Sequence, residues 1–151
     1  MKKLAFKYGL IIAIGAAAWV IIVHQLVSNP QSSIHQLGTP VFFNILQFIG
    51  IFLGISEFRR QAAEQATFKQ SLKTGVWISF VYAITISLFF VGVLYFVGTR
   101  WMAVEANAQK LPMALLAVQA FTGLFLGSVL FGLAYSTLIA FALTKRLPKS
   151  V

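Results

Sequence analysis

Long apolar runs alternate with short polar intervals along the whole chain. The pattern predicts four helices over about 4–27, 40–60, 67–98 and 111–145. A helix that crosses the hydrocarbon core of a bilayer needs about 20 predominantly apolar residues. The second apolar run, 41–56, has only 16, so its helix completes a crossing if Glu57, Phe58 and Arg59 extend it into the cytoplasmic interface. We therefore predict an all-α fold, a single polytopic membrane domain over 1–151, in which four transmembrane helices form an antiparallel bundle.

The first apolar run begins like a secretory signal, and the last is longer than an ordinary membrane-spanning helix. The first begins with Lys2 and Lys3, as a secretory signal does, but its uncharged part continues to Val23. A signal peptide has only about 7 to 15 apolar residues, so we predict an uncleaved helix. The last run, 112–144, has 33 residues without a charge. As one helix it would reach roughly 50 Å, so it must tilt, bend or project beyond a core of roughly 30 Å.

Charged residues are few, mostly basic, and placed at the ends of the apolar runs. They make up 10% of the chain, with 12 Lys and Arg against three acids. If the N-terminus is inside, ten of the 12 basic residues face the cytoplasm and only Arg100 and Lys110 lie outside. Because basic residues favour the cytoplasmic side, we predict that both termini are cytoplasmic. This pattern suits anionic lipid, whereas nucleic acid is bound by basic patches on soluble surfaces.

The polar interval over 58–74, FRRQAAEQATFKQSLKT, separates the second and third helices on the predicted cytoplasmic side. Thr67 and Gln70 fit a capping box, which starts the third helix at Thr67. Glu57 precedes the interval, and either neighbouring arginine can neutralise it. Four basic residues are expected to meet lipid head groups or, alternatively, a cytoplasmic protein: Arg59, Arg60, Lys69 and Lys73.

A family resemblance rests on the segment EFRRQAAEQATFKQSLKTGVWISFVYAI. It has Phe58-Arg59-Arg60 at the end of the second helix, Phe68 before a polar turn and Gly75 at the opening of the third helix. With its four crossings and basic tail, the chain resembles, over essentially its whole length, the bacterial four-helix membrane proteins of domain-of-unknown-function family 4199. The resemblance implies a location in the inner membrane of a Gram-negative cell and supplies no catalytic residues.

Small residues recur at four-residue spacing in two of the predicted helices. The second helix has Gly50 and Gly54, and the fourth has Gly123 and Gly127, with Gly132 further along. This spacing lets helix backbones approach closely inside a membrane. We expect these glycines to pack the helices of the bundle against one another, and contact between two copies of the chain is the alternative.

Polar side chains within the crossings form a second candidate site. Gln47 is seven residues after Pro40 and Gln119 is seven after Pro112, so both are expected about 10 Å from the outer ends of their helices. A hydrogen bond between these two amides is one interpretation. The other is an outward-open polar cavity, lined by His24, Gln25, Asn44, Gln47 and Gln119.

The residue types limit the chemistry. The chain has no cysteine and no Asp, which excludes Cys-ligated metals and a Ser-His-Asp triad. A bis-His haem needs two facing histidines in the core, and His35 lies in a predicted loop. No acid lies near the centre of a predicted crossing, where proton-coupled transporters usually have one. We therefore expect no enzymatic activity, no metal and no cofactor.

The function predicted from these features is that of a non-catalytic accessory or scaffold component of the membrane. Its partners are anionic phospholipid and either a second copy of the chain or another membrane protein. The alternative is a small transporter or channel, as a single chain or an oligomer, that uses the outer polar cavity.

Overall fold

A computed structural model describes residues 2–27, 32–62, 65–98 and 111–145. They form four long α-helices: α1 (Lys2–Leu26), α2 (Thr39–Gln61), α3 (Phe68–Val97) and α4 (Met113–Lys145). A short π-helical turn, Ile34–Gly38, leads into α2. All four helices are long and apolar enough to cross a membrane. The prediction of an all-helical chain with four candidate transmembrane helices is confirmed.

Some residues discussed above lie outside the described part of the chain. They are both basic residues predicted to face the outside, two of the three acids, and two residues of the basic tail: Arg100, Lys110, Glu64, Glu105, Arg146 and Lys149. The side chain of His35 also lies outside the description.

The start of α3 has the local structure that its sequence predicts. The backbone N–H of Gln70 donates to Thr67 Oγ1 at 3.3 Å, and the N–H of Thr67 donates to Gln70 Oε1 at 3.0 Å. These two side chains therefore satisfy N–H groups that a helix end leaves without partners. The capping box at Thr67 is confirmed. In α2, Pro40 occupies the first turn, a position where proline is tolerated.

α2 and α3 form the centre of the bundle, because each of them contacts the other three helices. α1 and α4 each pack against both helices of this pair. The main apolar core joins all four helices and includes Ile12, Ile51, Ile78 and Ile139, all of which are almost fully buried.

Some glycines lie where a neighbouring helix contacts the backbone closely, and others face open space. A Cβ atom at Gly50 would collide with Ile12 of α1, and one at Gly54 would collide with Ile78 of α3. By contrast, a Cβ atom at Gly123 or Gly127 of α4 would meet no described atom within 4 Å. Within the described part of the chain, the expected packing therefore does not occur at Gly123 and Gly127.

α3 and α4 extend further than α2 on the side away from the capping box. Gly132 of α4 lies beside Gln47 of α2. From that level α4 runs back 19 residues to Met113, roughly 28 Å, whereas α2 runs back eight residues to Thr39, roughly 12 Å. A second small core cluster of α3 and α4 contains Leu94, Leu116 and Ala117 and supports this extension. The long apolar run is thus one continuous helix that extends past the beginning of α2.

Candidate functional site

Most of the buried polar side chains of the described residues belong to α3, and the others come from α2 and α4. We call this set the polar seam: Gln47, Arg59, Ser71, Thr74, Ser79, Ser87 and Ser136. Polar groups inside a bilayer have no water to bond, so each needs a partner in the protein. Among the buried side-chain polar atoms of the described residues, only Ser87 Oγ has no hydrogen-bond partner. This concentration of satisfied polar groups makes the seam the candidate functional site.

Two glycines and two serines interlock α3 with α4 in the middle of the seam. A Cβ atom at Gly75 of α3 would collide with Ser136 of α4, and one at Gly132 of α4 would collide with Ser79 of α3. Each serine hydroxyl donates to the carbonyl of the glycine four residues before it, at 3.0 Å for Ser79 and 2.6 Å for Ser136. The hydroxyls are therefore satisfied within their own helices, and the two backbones approach closely.

Gln47 joins α2 to α4 at the same level. Its side chain is 2% exposed, and its Nε2 donates to the backbone carbonyl of Ser128 at 2.7 Å. The predicted bond to Gln119 is wrong. Gln119 has an exposed side chain and precedes Gly132 by 13 residues, which is roughly 20 Å along α4. The prediction counted residues from two prolines, but α4 begins well beyond the level at which α2 begins.

Removing the Gln47 amide is expected to weaken the α2–α4 contact. Gln47→Leu should lower the free energy of unfolding by about 0.6 to 2 kcal/mol, the usual range for a hydrogen bond between membrane helices. Gln119→Leu is the control, because it removes an exposed amide and should change that free energy by less than about 0.5 kcal/mol. Reversible unfolding in mixed micelles measures both variants, and equal losses would contradict the role given to Gln47.

Arg59 lies at the end of the seam beside the capping box. It is 6% exposed, and its Nη1 donates to Ala66 O at 3.1 Å, Ser71 Oγ at 3.4 Å and Thr144 Oγ1 at 3.3 Å. One side chain therefore joins the last turn of α2 to the first turn of α3 and the last turn of α4. Arg59 does not extend out from the end of α2 as expected, because its guanidinium is turned into the bundle. Its contact with a lipid head group stays a prediction.

The other three basic residues of this interval have the exposure that lipid contact requires. Arg60, Lys69 and Lys73 are all exposed, and Phe68 beside them is 37% exposed. Their contact with anionic head groups stays a prediction.

A second polar cluster at the same end of the bundle was not predicted from the sequence. Glu57 of α2 accepts hydrogen bonds from Lys7 Nζ at 2.9 Å and from the Tyr8 hydroxyl at 2.5 Å, both on α1. Gln61 Nε2 also donates to Glu57, at 3.2 Å. Glu57 is therefore paired with Lys7 and not with an arginine next to it in sequence. The only local signal was Lys7-Tyr8 at the start of α1, which gives no indication of the partner helix.

The side chains predicted to line one outer cavity lie in separate parts of the structure. Asn44 Nδ2 donates to Pro40 O, and Asn44 Oδ1 accepts from the Tyr135 hydroxyl, both at 2.9 Å. Asn44 and Tyr135 border an open groove of about 400 Å³ with otherwise apolar walls, Pro40, Val41, Ile45 and Phe48. Neither Gln47 nor Gln119 lines this groove.

His24 and Gln25, the remaining two predicted cavity residues, lie in the last turn of α1. The nearby contact between α1 and α2 is largely aromatic. Trp19 stacks on Phe42 with ring centroids 4.0 Å apart, and its Nε1 donates to Thr39 Oγ1 at 3.2 Å.

Within the described ranges, no three His, Cys, Asp or Glu side chains are grouped as a metal site would need. The chain matches no protein-family model, no curated protein and no solved structure. The resemblance to family 4199 stays a prediction.

Proposed function

We propose that this chain is an inner-membrane protein that crosses the bilayer four times and acts as a non-catalytic accessory or scaffold subunit. In this proposal both termini are cytoplasmic, neighbouring helices are antiparallel, and α4 packs against a helix of another membrane protein. The observation that carries the proposal is the uncovered side of α4.

The apolar part of α4 is covered by the described residues much less than that of the other helices. Within the most apolar stretch of each helix, 11% of the residues of α4 are buried, against 28 to 33% in the other three. Gly123 and Gly127 have open space where their side chains would be, and Gln119, one turn before Gly123, is exposed. Small residues four apart with an amide nearby are typical of a surface on which one membrane helix receives another.

Contacts between helix ends support the antiparallel arrangement. Tyr8 near the start of α1 bonds to Glu57 near the end of α2. Arg59 near the end of α2 bonds to Ser71 near the start of α3 and to Thr144 near the end of α4. The basic residues at this end support its assignment to the cytoplasm: Lys2, Lys3, Lys7, Arg59, Arg60, Lys69, Lys73 and Lys145.

Labelling of single cysteines tests this orientation, and the chain has no native cysteine to interfere. In intact cells, a membrane-impermeant thiol reagent is expected to label Leu37→Cys, before α2, from outside. Lys69→Cys, in the first turn of α3, is expected to react only after the membrane is permeabilised. The reverse pattern would contradict the cytoplasmic assignment of the termini.

Filling the open space on α4 tests the accessory role. Gly123→Leu combined with Gly127→Leu is expected to leave the fold intact and to reduce co-purification of the partner from native membrane patches by about tenfold, which is about 1.4 kcal/mol of association. The reason is that two leucine side chains would occupy the space in which a partner backbone would lie.

Gly92→Leu is the matched control, since Gly92 of α3 also has no described atom within 4 Å of a Cβ position. It is expected to leave the partner bound. Equal co-purification by all variants would contradict a docking role for α4.

The alternative function, a small transporter or channel, depends on an outer polar cavity. Gln47 is held in the α2–α4 contact and Asn44 is bonded to Tyr135, so neither amide is free to bind a solute in this arrangement. The double variant Gln47→Leu with Gln119→Leu separates the two functions. Solute flux into reconstituted vesicles that is present in the wild type and abolished in the folded double variant would favour transport.

A further inference from the structure

We propose that the guanidinium of Arg59 is the centre of a binding site for one phosphate group, at the place where the ends of α2 and α4 meet the beginning of α3. This inference is independent of the docking role of α4. It starts from a charge that the described residues do not balance.

The Arg59 guanidinium is buried among neutral acceptors. All three of its hydrogen bonds go to uncharged oxygens, one carbonyl and two hydroxyls. Glu57 is the only acid among the described residues, and it is paired with Lys7 and Tyr8. A buried charge without a counter-charge is costly, whereas a buried ion pair with good geometry is tolerated. Among the described residues, no anion therefore accompanies the buried Arg59 guanidinium.

Part of the Arg59 guanidinium is still available for bonding. Its three hydrogen bonds all use Nη1, so Nε and Nη2 donate to no described residue. Neither of these nitrogens is fully enclosed. Each therefore keeps some accessible surface, within the 6% of the residue that is exposed. This edge of the guanidinium presents parallel N–H groups, and two oxygens of one phosphate fit that geometry.

The helix ends around Arg59 hold the cation and favour an anion beside it. Arg59 lies in the last turn of α2 and bonds to Thr144 in the last turn of α4, and the C-terminal end of a helix carries partial negative charge. Its third neighbour is the first turn of α3, which carries partial positive charge. The two C-terminal ends therefore stabilise the guanidinium, while the start of α3 adds to the attraction of an anion.

This site differs from the basic surface next to it. Arg60, Lys69 and Lys73 are exposed, so they attract anionic head groups without fixed geometry, and salt screens that attraction. A phosphate bonded to the buried fork of Arg59 is screened much less. Phosphate reaches this place either on a phospholipid head group or as a free ion, and the two sources require separate measurements.

The test uses the full chain in phosphatidylcholine nanodiscs at high salt, with phosphatidylglycerol as the lipid probe and inorganic phosphate as the soluble probe. Native mass spectrometry measures retained phosphatidylglycerol, and the thermal midpoint measures stabilisation by either probe. We expect Arg59→Gln to weaken probe binding by about tenfold. We expect Arg60→Gln, the same charge change one residue away on an exposed side chain, to leave it within about twofold. Equal losses in the two variants, or loss of wild-type binding at high salt, would overturn the proposal.

Two further variants keep the test decisive if Arg59→Gln does not fold. Arg59→Lys keeps the cation but removes the fork, and it is expected to fold and to bind the probe more weakly than the wild type. Unchanged binding by Arg59→Lys would overturn the proposal.

Glu64→Gln tests whether the chain supplies its own counter-charge from outside the described residues. We expect unchanged binding, and a clear increase would show that Glu64 occupies the site instead.

Stabilisation by phosphatidylglycerol alone would identify a lipid site, and stabilisation by inorganic phosphate as well would identify a site open to the free ion.

Discussion

Gly132→Leu is expected to lower the free energy of unfolding by about 3 kcal/mol, at the upper end of the usual cost of overpacking a core. A Cβ atom at Gly132 would collide with Ser79 of α3 and would lie 2.7 Å from Nε2 of Gln47. Leucine would therefore separate α3 from α4 and also displace Gln47 from Ser128. Unfolding in mixed micelles, together with the monodisperse fraction after purification, measures the loss.

Gly123→Leu is the control for this experiment. It makes the same change nine residues earlier in α4, where the described chain leaves open space. We expect its free energy of unfolding to stay within about 0.5 kcal/mol of the wild type. If Gly123→Leu were as destabilising as Gly132→Leu, the difference assigned to the two sides of α4 would be wrong.

Arg59→Ala is expected to lower the free energy of unfolding by about 2 kcal/mol, because it removes hydrogen bonds from a charged donor and leaves a buried gap. The variant should also destabilise the first turn of α3 locally. Ala66 O and Ser71 Oγ would lose their contact with α2, so hydrogen exchange should accelerate most in the first turn of α3.

Arg60→Ala provides the comparison, because Arg60 occupies the same last turn of α2 with an exposed side chain. A stability change within about 0.5 kcal/mol is expected. Exchange in α3 that accelerates equally in both variants would show that net charge, and not the three bonds of Arg59, holds this end together.

The features that the sequence predicted correctly depend on neighbours along the chain. Four candidate crossings follow from the length of the apolar runs, because a bilayer core sets a fixed minimum. The capping box follows from Thr67 and Gln70, which lie three residues apart and need no other helix. Both rest on local spacing that tertiary contacts did not override.

The features that could not be predicted from the sequence depend on contacts between different helices. Gln47 and Gln119 were placed at one depth by counting from prolines, but the contact of Gly132 with Gln47 shows how far α4 is offset from α2. Nothing in the sequence near Arg59 indicated that it would turn toward Thr144, which is 85 residues away. Periodicity in α4 could not separate Gly132, which receives Ser79, from Gly123, which receives nothing within the described chain.

The central claim is that α4 carries the partner surface, and photo-crosslinking in the native membrane tests it most directly. A photoreactive residue at Leu126, which is 51% exposed on α4, is compared with one at Ile49, which is 47% exposed on α2. The account predicts one discrete crosslinked protein from Leu126, lost in the Gly123→Leu, Gly127→Leu background, and none from Ile49. Crosslinks from Ile49 alone, or no crosslink from either position, would contradict it.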